Sequence, residues 1–342
     1  MSGESIFRSI IHRPAGDAPV LPDEGPLPSF ERATGWLNSE PLTPGDLVGG
    51  VVLVSFWTYT CVNWLRTLPY LRDWNEKYSA AGLTIVGVHT PEFDFEGDPR
   101  NVTSHVRSLG IEYPVAVDSD FGVWDEFANH YWPAVYLADG NGRIRYHHFG
   151  EGDYAMTEMA IQQLLVEAGA ADVDPGLVAP TPKGLEVAAD WATLRSPETY
   201  LGYGQSSGFA SEDPDFHDRA HDYGRPGDLS LNSWVVTGNW TARRHAFVVN
   251  EPGGWVVFAF HARDVNLVMA PLVTGASIPF RVYLGADPVG SAHGADVDSA
   301  GRGVVDNPNT YQLIRQEDPI VDRVVKIEFL AAGVEAYCFT FG

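Results

Sequence analysis

Between residues 45 and 168, short unbroken apolar runs alternate with stretches whose apolar positions recur every three or four residues. Residues 51–56 are apolar on both faces of an extended chain. That predicts a strand inside a sheet covered on both sides. In 62–78, Leu65, Leu68, Leu71, Trp74 and Tyr78 fall on one stripe of a helix. Residues 84–89 read as a second buried strand. Residues 98–109 read as a helix, with Pro99 in its first turn and Gly110 after its end. A short strand at 115–117 follows. Then 134–138 and 143–149 flank Asp139-Gly-Asn-Gly142, a hairpin signal, and 155–168 is a last helix. Strands alternating with helices and finishing in a hairpin predict an α/β layered fold.

The pattern changes near residue 170. Three prolines and two glycines in 171–185 mark a linker. Beyond it the helical period disappears. Alternating runs at 233–237, 246–250, 254–260, 265–269, 279–284, 311–315, 324–329 and 335–341 are separated by Gly, Pro, Asn and Asp. This predicts an all-β sandwich, jelly-roll-like, over 186–342. Residues 1–45 are Pro-rich with little period and read as an arm that packs on the first domain (46–170) through Leu21, Leu27, Phe30 and Trp36.

The 342 residues carry 22 Lys and Arg against 45 Asp and Glu, a net charge of -23. With no basic patch to neutralise phosphates, neither nucleic acid nor an anionic membrane surface is an expected partner. No apolar run reaches the ~18–20 residues of a membrane span. The N-terminus has Glu4 where a signal peptide carries a basic residue, and its apolar stretch is broken by Arg8, so a cytoplasmic protein is expected. Two cysteines, Cys61 and Cys338, exclude a disulfide framework and a cysteine-based metal centre, although one bridge between them stays open. Cys338 lies in an alternating run and reads as a buried thiol. His217 with His221, His147 with His148, and Asp296 with Asp298 and Gly301 read as ordinary polar segments, a structural calcium at the last being the best of the three. The expectation is no metal site and no cofactor.

Chemistry concentrates at Cys61. The order of strand 51–56, short turn and helix 62–78 places this thiol at a helix N-terminus. Unsatisfied N–H groups and the helix dipole there favour the thiolate, the form that attacks disulfides and peroxides. Glu92 follows the strand 84–89 at the carboxyl end of the sheet, where it can take a proton from Cys61 or its substrate. Arg66, five residues beyond the cysteine, can hold an anionic substrate or steady the thiolate.

The segment Val54-Ser-Phe-Trp57-Thr58-Tyr-Thr-Cys61 resembles the active-site strand and turn of thioredoxin-fold thiol–disulfide oxidoreductases. Leu27-Pro, Trp36-Leu-Asn-Ser, Leu65-Arg-Thr-Leu-Pro-Tyr-Leu71, Gly87-Val-His-Thr-Pro-Glu-Phe93, Tyr131-Trp-Pro-Ala134 and His148-Phe-Gly-Glu-Gly-Asp-Tyr154 widen the match. So do Asn239-Trp240, Ala262-Arg-Asp-Val265, Tyr311-Gln-Leu-Ile-Arg315 and Gly333-Val-Glu-Ala-Tyr337 beyond the linker. Together they resemble the soluble C-terminal portion of DipZ-type proteins. The resemblance implies a thioredoxin-like α/β fold followed by a carbohydrate-binding-module-like sandwich. It also implies export behind a membrane electron carrier. It makes Pro133 a cis proline facing the thiol, with the Trp132 backbone presented to a bound peptide. Thr58-x-x-Cys61 is also similar to the peroxide-orienting arrangement of peroxiredoxins, but Val54 stands where that family has proline.

Two positions depart from the family. Trp64 occupies the place of the second active-site cysteine, so a mixed disulfide on Cys61 has no internal resolving thiol. Ser55 occupies the place of a buried aspartate that assists that second thiol. Two functions follow from different classes. One is a monothiol redox protein in which Cys61 attacks a disulfide, peroxide or electrophilic small molecule. Trp57, Thr58, Trp64, Arg66 and Trp132 then line the pocket, and an external low-molecular-weight thiol or redox partner protein resolves the adduct. The other is a redox-inactive binding or scaffold protein in which Trp64 caps the former site. In the sandwich, Tyr223 and Trp240 are the rings expected to meet a sugar, and the same domain can serve as a homodimer face.

Overall fold

The computed structural model describes residues 20–211, 216–224 and 227–342. The chain divides between Thr181 and Pro182 into two units. The expectation about a leader at the N-terminus falls outside the described residues.

The first unit is built on seven strands: β1 (Gly25–Pro26), β2 (Gly35–Leu37), β3 (Val51–Trp57), β4 (Leu83–His89), β5 (Val115–Val117), β6 (Ala134–Ala138) and β7 (Arg143–Phe149). Their order across the sheet is β1-β7-β6-β3-β4-β5-β2. Strand β3 lies at the centre, parallel to β4 and antiparallel to β6, and every one of its residues is buried. This is why its sequence is apolar except for Ser55 instead of alternating. The Val62–Tyr78 helix buries Leu65, Leu68, Leu71, Trp74 and Tyr78 as its periodicity predicts, and it buries Trp64 with them. The Pro99–Ser108 helix starts where Asp98 accepts a hydrogen bond from the Arg100 N–H at 2.9 Å. That satisfies one of the donors left open at a helix start. The β6–β7 turn closes with Gly142 at φ 69°, the left-handed conformation that glycine adopts without strain. The Tyr154–Glu167 helix completes the unit.

Two features had no periodic signal. The segment before residue 45 supplies both edge strands, β1 on β7 and β2 on β5, and it places Leu27 and Phe30 in the core beside Val52, Val54 and Phe56. Strands of two and three residues are too short to show a period. The five-residue helix Gly122–Glu126 is likewise short, and it is held by Asp118, which accepts from the Val123 and Trp124 N–H groups at 2.7 and 3.0 Å. Within the expected linker, Val178 donates its N–H to buried Glu158 at 2.9 Å.

The second unit is antiparallel β-structure throughout its named strands. The long strand Trp234–Ala242 pairs through its first half with Gly254–Phe260 and through its second half with Ala220–Tyr223 and Phe247–Val249. Sharing one strand between both halves of the path curls the sheet into a sandwich. Along Ile278–Leu284, Ile278, Phe280 and Val282 point inward while Pro279 and Arg281 are exposed, the period-two alternation read from the sequence. Trp234, Phe258, Phe280, Leu313, Ile327 and Phe339 fill the interior. Cys338 is buried in the strand Val334–Phe341.

Among the described residues no helix is long and apolar enough to cross a membrane, and no cluster of three or more His, Cys, Asp or Glu side chains is placed to hold a metal ion. Asp298 caps its own turn instead, accepting from the N–H groups of Ala300 and Arg302 at 2.9 and 2.8 Å. His217 stacks on Tyr203 and His221 on Phe216.

Candidate active site

Strand β3 ends at Trp57, and four residues later the chain enters the Val62–Tyr78 helix with Cys61 at its N-cap. The Cys61 N–H bonds back to the Thr58 carbonyl at 3.2 Å, and its carbonyl accepts the first helical hydrogen bond, from Leu65, at 2.9 Å. The turn is therefore tight, and the thiol sits where the helix exposes its open N–H groups. Cys61 is half-buried and retains surface, whereas Cys338 is buried. Both are thiols, not members of a disulfide.

Trp64 does not stand at that surface. It is fully buried and lies flat against Trp57, with ring centroids 4.2 Å apart and planes inclined by 21°. Trp57 meets the edge of His89 on β4 at 4.7 Å, and Tyr59 stacks on the opposite side of the site with His105 at 3.8 Å. Gly87 lets the rings pack closely here: a Cβ at that position would lie 3.0 Å from the Trp57 indole nitrogen and 3.1 Å from Tyr113, so these rings would have to shift. His89 has neither ring nitrogen hydrogen-bonded among the described residues. Burial, assisted by the neighbouring charge of His105, pulls its pKa down to about 3, so the imidazole is neutral at physiological pH. The Ser55 hydroxyl and the indole N–H groups of Trp57 and Trp64 are likewise buried with no hydrogen-bond partner among the described residues.

The expectation that Trp57, Thr58 and Trp64 line a substrate pocket is therefore corrected: all three are fully buried and present no surface to a substrate. The Val62–Tyr78 helix packs this side of its first turn against the sheet, which turns position 64 inward. Arg66 is corrected in the same way. It is 3% exposed, and its guanidinium donates to Glu151 at 2.8 Å, so its charge is matched inside the protein. Burial pushes the Glu151 carboxyl up, and Arg66 opposes that shift. The pair ties the helix to the loop after β7, where the Gly150 N–H bonds to the Pro133 carbonyl at 2.8 Å.

The Trp132–Pro133 peptide bond is cis, and Pro133 is buried at the start of β6. Trp132 is half-exposed. Its indole donates to the Thr90 carbonyl at 3.1 Å and lies 4.3 Å from the Trp124 ring. Thr90 in turn bonds to Trp57 through its N–H, so the 132–133 loop docks directly on the end of the thiol-bearing strand. Tyr131 and Phe149, both exposed, pack at 4.9 Å beside it.

Glu92 is half-buried, and its N–H donates to Glu96 at 2.8 Å. Sequence reasoning missed Glu96. Its side chain is fully buried and accepts from the Thr60 hydroxyl at 2.6 Å, the Thr60 N–H at 3.3 Å and the Phe93 N–H at 2.9 Å as well. Burial pushes its pKa up, and the hydrogen bonds oppose that. The only sequence signal is half of a capping box, a Glu three residues into a short helical turn. The usual Ser or Thr at the N-cap is replaced by Phe93, which hides the pattern.

In the second unit, Tyr223 and Trp240 are 4% and 0% exposed and belong to the core. Neither offers a ring face to a sugar. Both occupy inward positions of paired strands, and the Trp240 indole is satisfied internally by the Thr237 carbonyl at 2.9 Å. Trp255 and Tyr283, 5.4 Å apart, form instead a half-buried aromatic pair on the two strands that flank Arg323–Phe329.

Comparison with known proteins agrees with this geometry. Residues 25–147 match the AhpC/TSA family, and residues 196–342 match the thioredoxin like C-terminal domain. The chain is 32% identical over 324 residues to Protein DipZ of Mycobacterium tuberculosis (strain CDC 1551 / Oshkosh), covering 93% of this chain and 43% of that protein. It thus spans less than half the length of this relative. It is 31% identical over 143 residues to the thiol-disulfide oxidoreductase YkuV of Bacillus subtilis (strain 168), covering 42% of this chain and 95% of that protein. Among solved structures, a thioredoxin-like protein in the oxidized form shares 30% identity with a TM-score of 0.38, covering 44% of this chain and 99% of that one. The chain belongs to the thioredoxin-like family that includes the thiol-disulfide oxidoreductases.

Proposed function

We propose that the protein is a monothiol member of this family in which Cys61 exchanges with a disulfide and an external thiol completes the cycle. One observation carries the proposal: Cys61 keeps solvent access at the helix N-terminus while Trp64 is turned inward against Trp57. In the first step the Cys61 thiolate attacks one sulfur of a substrate disulfide. A bond forms between them, and the other sulfur leaves as a thiolate. In the second step an external thiolate attacks the substrate sulfur of this mixed disulfide and regenerates Cys61. Each step exchanges one S–S bond for another, so no further oxidant enters. The exposed Tyr131 and Phe149 beside the 132–133 loop favour a substrate with an apolar or aromatic group, small molecule or peptide. A thiol reset by external thiols works where these are kept reduced, which supports a cytoplasmic setting. The limits 46–170 and 186–342 for the two domains are part of the same proposal.

The test is the pH dependence of Cys61 alkylation in the native protein, with Cys61→Ser correcting for Cys338. Fast reaction with an apparent pKa below the ~8.5 of an ordinary thiol is expected. Alkylation only on unfolding would overturn the proposal. It would favour the scaffold reading, which the buried Trp57–Trp64 stack supports.

A further inference from the structure

We infer that Glu96 is a positioning residue that clamps the two loops of the thiol site together, one carboxylate oxygen holding each loop. This rests on the monothiol reading for its consequence, but its geometry stands independently. Oε1 accepts from the hydroxyl and the N–H of Thr60, the residue before Cys61, at 2.6 and 3.3 Å. Oε2 accepts from the N–H groups of Glu92 and Phe93 at 2.8 and 2.9 Å. Four donors fill the lone-pair positions of a fully buried carboxylate. A fully buried carboxyl group is tolerated only with such complete hydrogen bonding. The arrangement goes beyond helix capping. The capping partner is on the short turn at Asp94–Gly97, yet half of the hydrogen bonds come from a loop 36 residues away in sequence.

Two consequences follow. The backbone of Thr58–Cys61 is fixed from outside the helix, which holds Cys61 in the N-cap position at the positive end of the helix dipole. Glu92 is also fixed relative to Cys61 through a shared anchor, so the separation of the two groups is set by Glu96 and not by either loop alone. Residues that support a site from behind control reactivity by removing alternative geometries.

The experiment uses the full chain with Thr60→Val, Thr60→Ser and Glu96→Gln. Thr60→Val keeps shape and charge while deleting the shortest hydrogen bond, and Thr60→Ser restores it. Two measurements are made: the pH profile of Cys61 alkylation, and hydrogen-exchange protection of the Glu92 and Phe93 amides. For Thr60→Val, protection at Glu92 and Phe93 should fall about tenfold, although the substitution lies on the other loop. The alkylation profile should move to higher pH, with the rate at neutral pH falling several-fold. Thr60→Ser should return both toward wild type, and Glu96→Gln should exceed Thr60→Val in both. Unchanged Glu92 and Phe93 protection in Thr60→Val would overturn the clamp, whatever the thiol does. Lost protection with an unmoved alkylation profile would overturn the positioning role. A wild-type thiol that is silent until unfolding would remove the monothiol reading and this role with it, while the exchange data still decide the clamp.

Discussion

Trp64 is where the sequence and its three-dimensional meaning separate most clearly. The residue type is visible in the chain, and so is the absence of a resolving thiol. Its orientation is not, because a helix beginning at Val62 can turn position 64 to solvent or to the sheet, depending on how it docks. Docking turns it inward, where it stacks on Trp57 and is fully buried, while Cys61 keeps surface. Trp64→Cys should therefore have two separable effects. Removing a buried indole leaves a void and should destabilise the first unit by about 3–5 kcal/mol, as large-to-small core changes do. If the variant stays folded, the thiol pair three residues apart should reduce insulin disulfides faster than the parent's single thiol. A folded variant with no gain would mean that Ser55, buried and without a hydrogen-bond partner among the described residues, cannot replace the missing carboxylate.

At the scale of the element, the apolar run that becomes β4 was legible, and so was its carboxyl end as a place where functional groups collect. His89 within it carries no special signal, since a histidine closing a strand is ordinary by pattern. The fold gives it significance by burying it completely between Trp57 and Tyr59. The native state holds it neutral with a pKa of about 3, whereas the unfolded chain binds a proton below its ordinary value of 6.5. Acid therefore favours the unfolded chain. The stability linked to this group is present above about pH 6.5 and is lost as pH falls toward 3, at up to ~1.4 kcal/mol per pH unit. His89→Phe keeps the ring packing and removes the titration. Urea unfolding at about pH 7 and pH 4.5 should show a smaller stability loss in the variant than in the parent. Equal losses would show that His89 is accessible to protons in the native state. Glu96 and Arg66 teach the same lesson about elements. Arg66 lies in a helix that the periodicity predicts and Glu96 between two predicted elements, yet their roles come from partners 85 and 36 residues away, Glu151 and Thr60, which spacing within one element cannot reveal.

The whole molecule adds a long-range term to the chemistry of one thiol. Its two-part architecture was readable, because a change from mixed period to pure alternation near residue 170 has no other simple cause. What the sequence could not place was the edge strands supplied by the segment before residue 45, whose pairing is set by the partner strands. The net charge of -23, in contrast, transfers directly from sequence to function. A surface this acidic repels anions and attracts cations over a distance of one Debye length, about 30 Å at 0.01 M salt and 3 Å at 1 M. In the proposed monothiol cycle, the external thiol that resolves Cys61 must cross that field. With the Cys61 mixed disulfide prepared on the full chain, resolution by cysteamine should be faster at low salt than by mercaptoethanol, and by mercaptoethanol faster than by mercaptoethanesulfonate, after correction for the pKa of each thiol. Raising the salt should slow the cationic reagent, speed the anionic one and bring the three together. An order independent of salt would mean that the approach to Cys61 is governed by local shape, with Trp132, Tyr131 and Phe149 deciding which thiol enters.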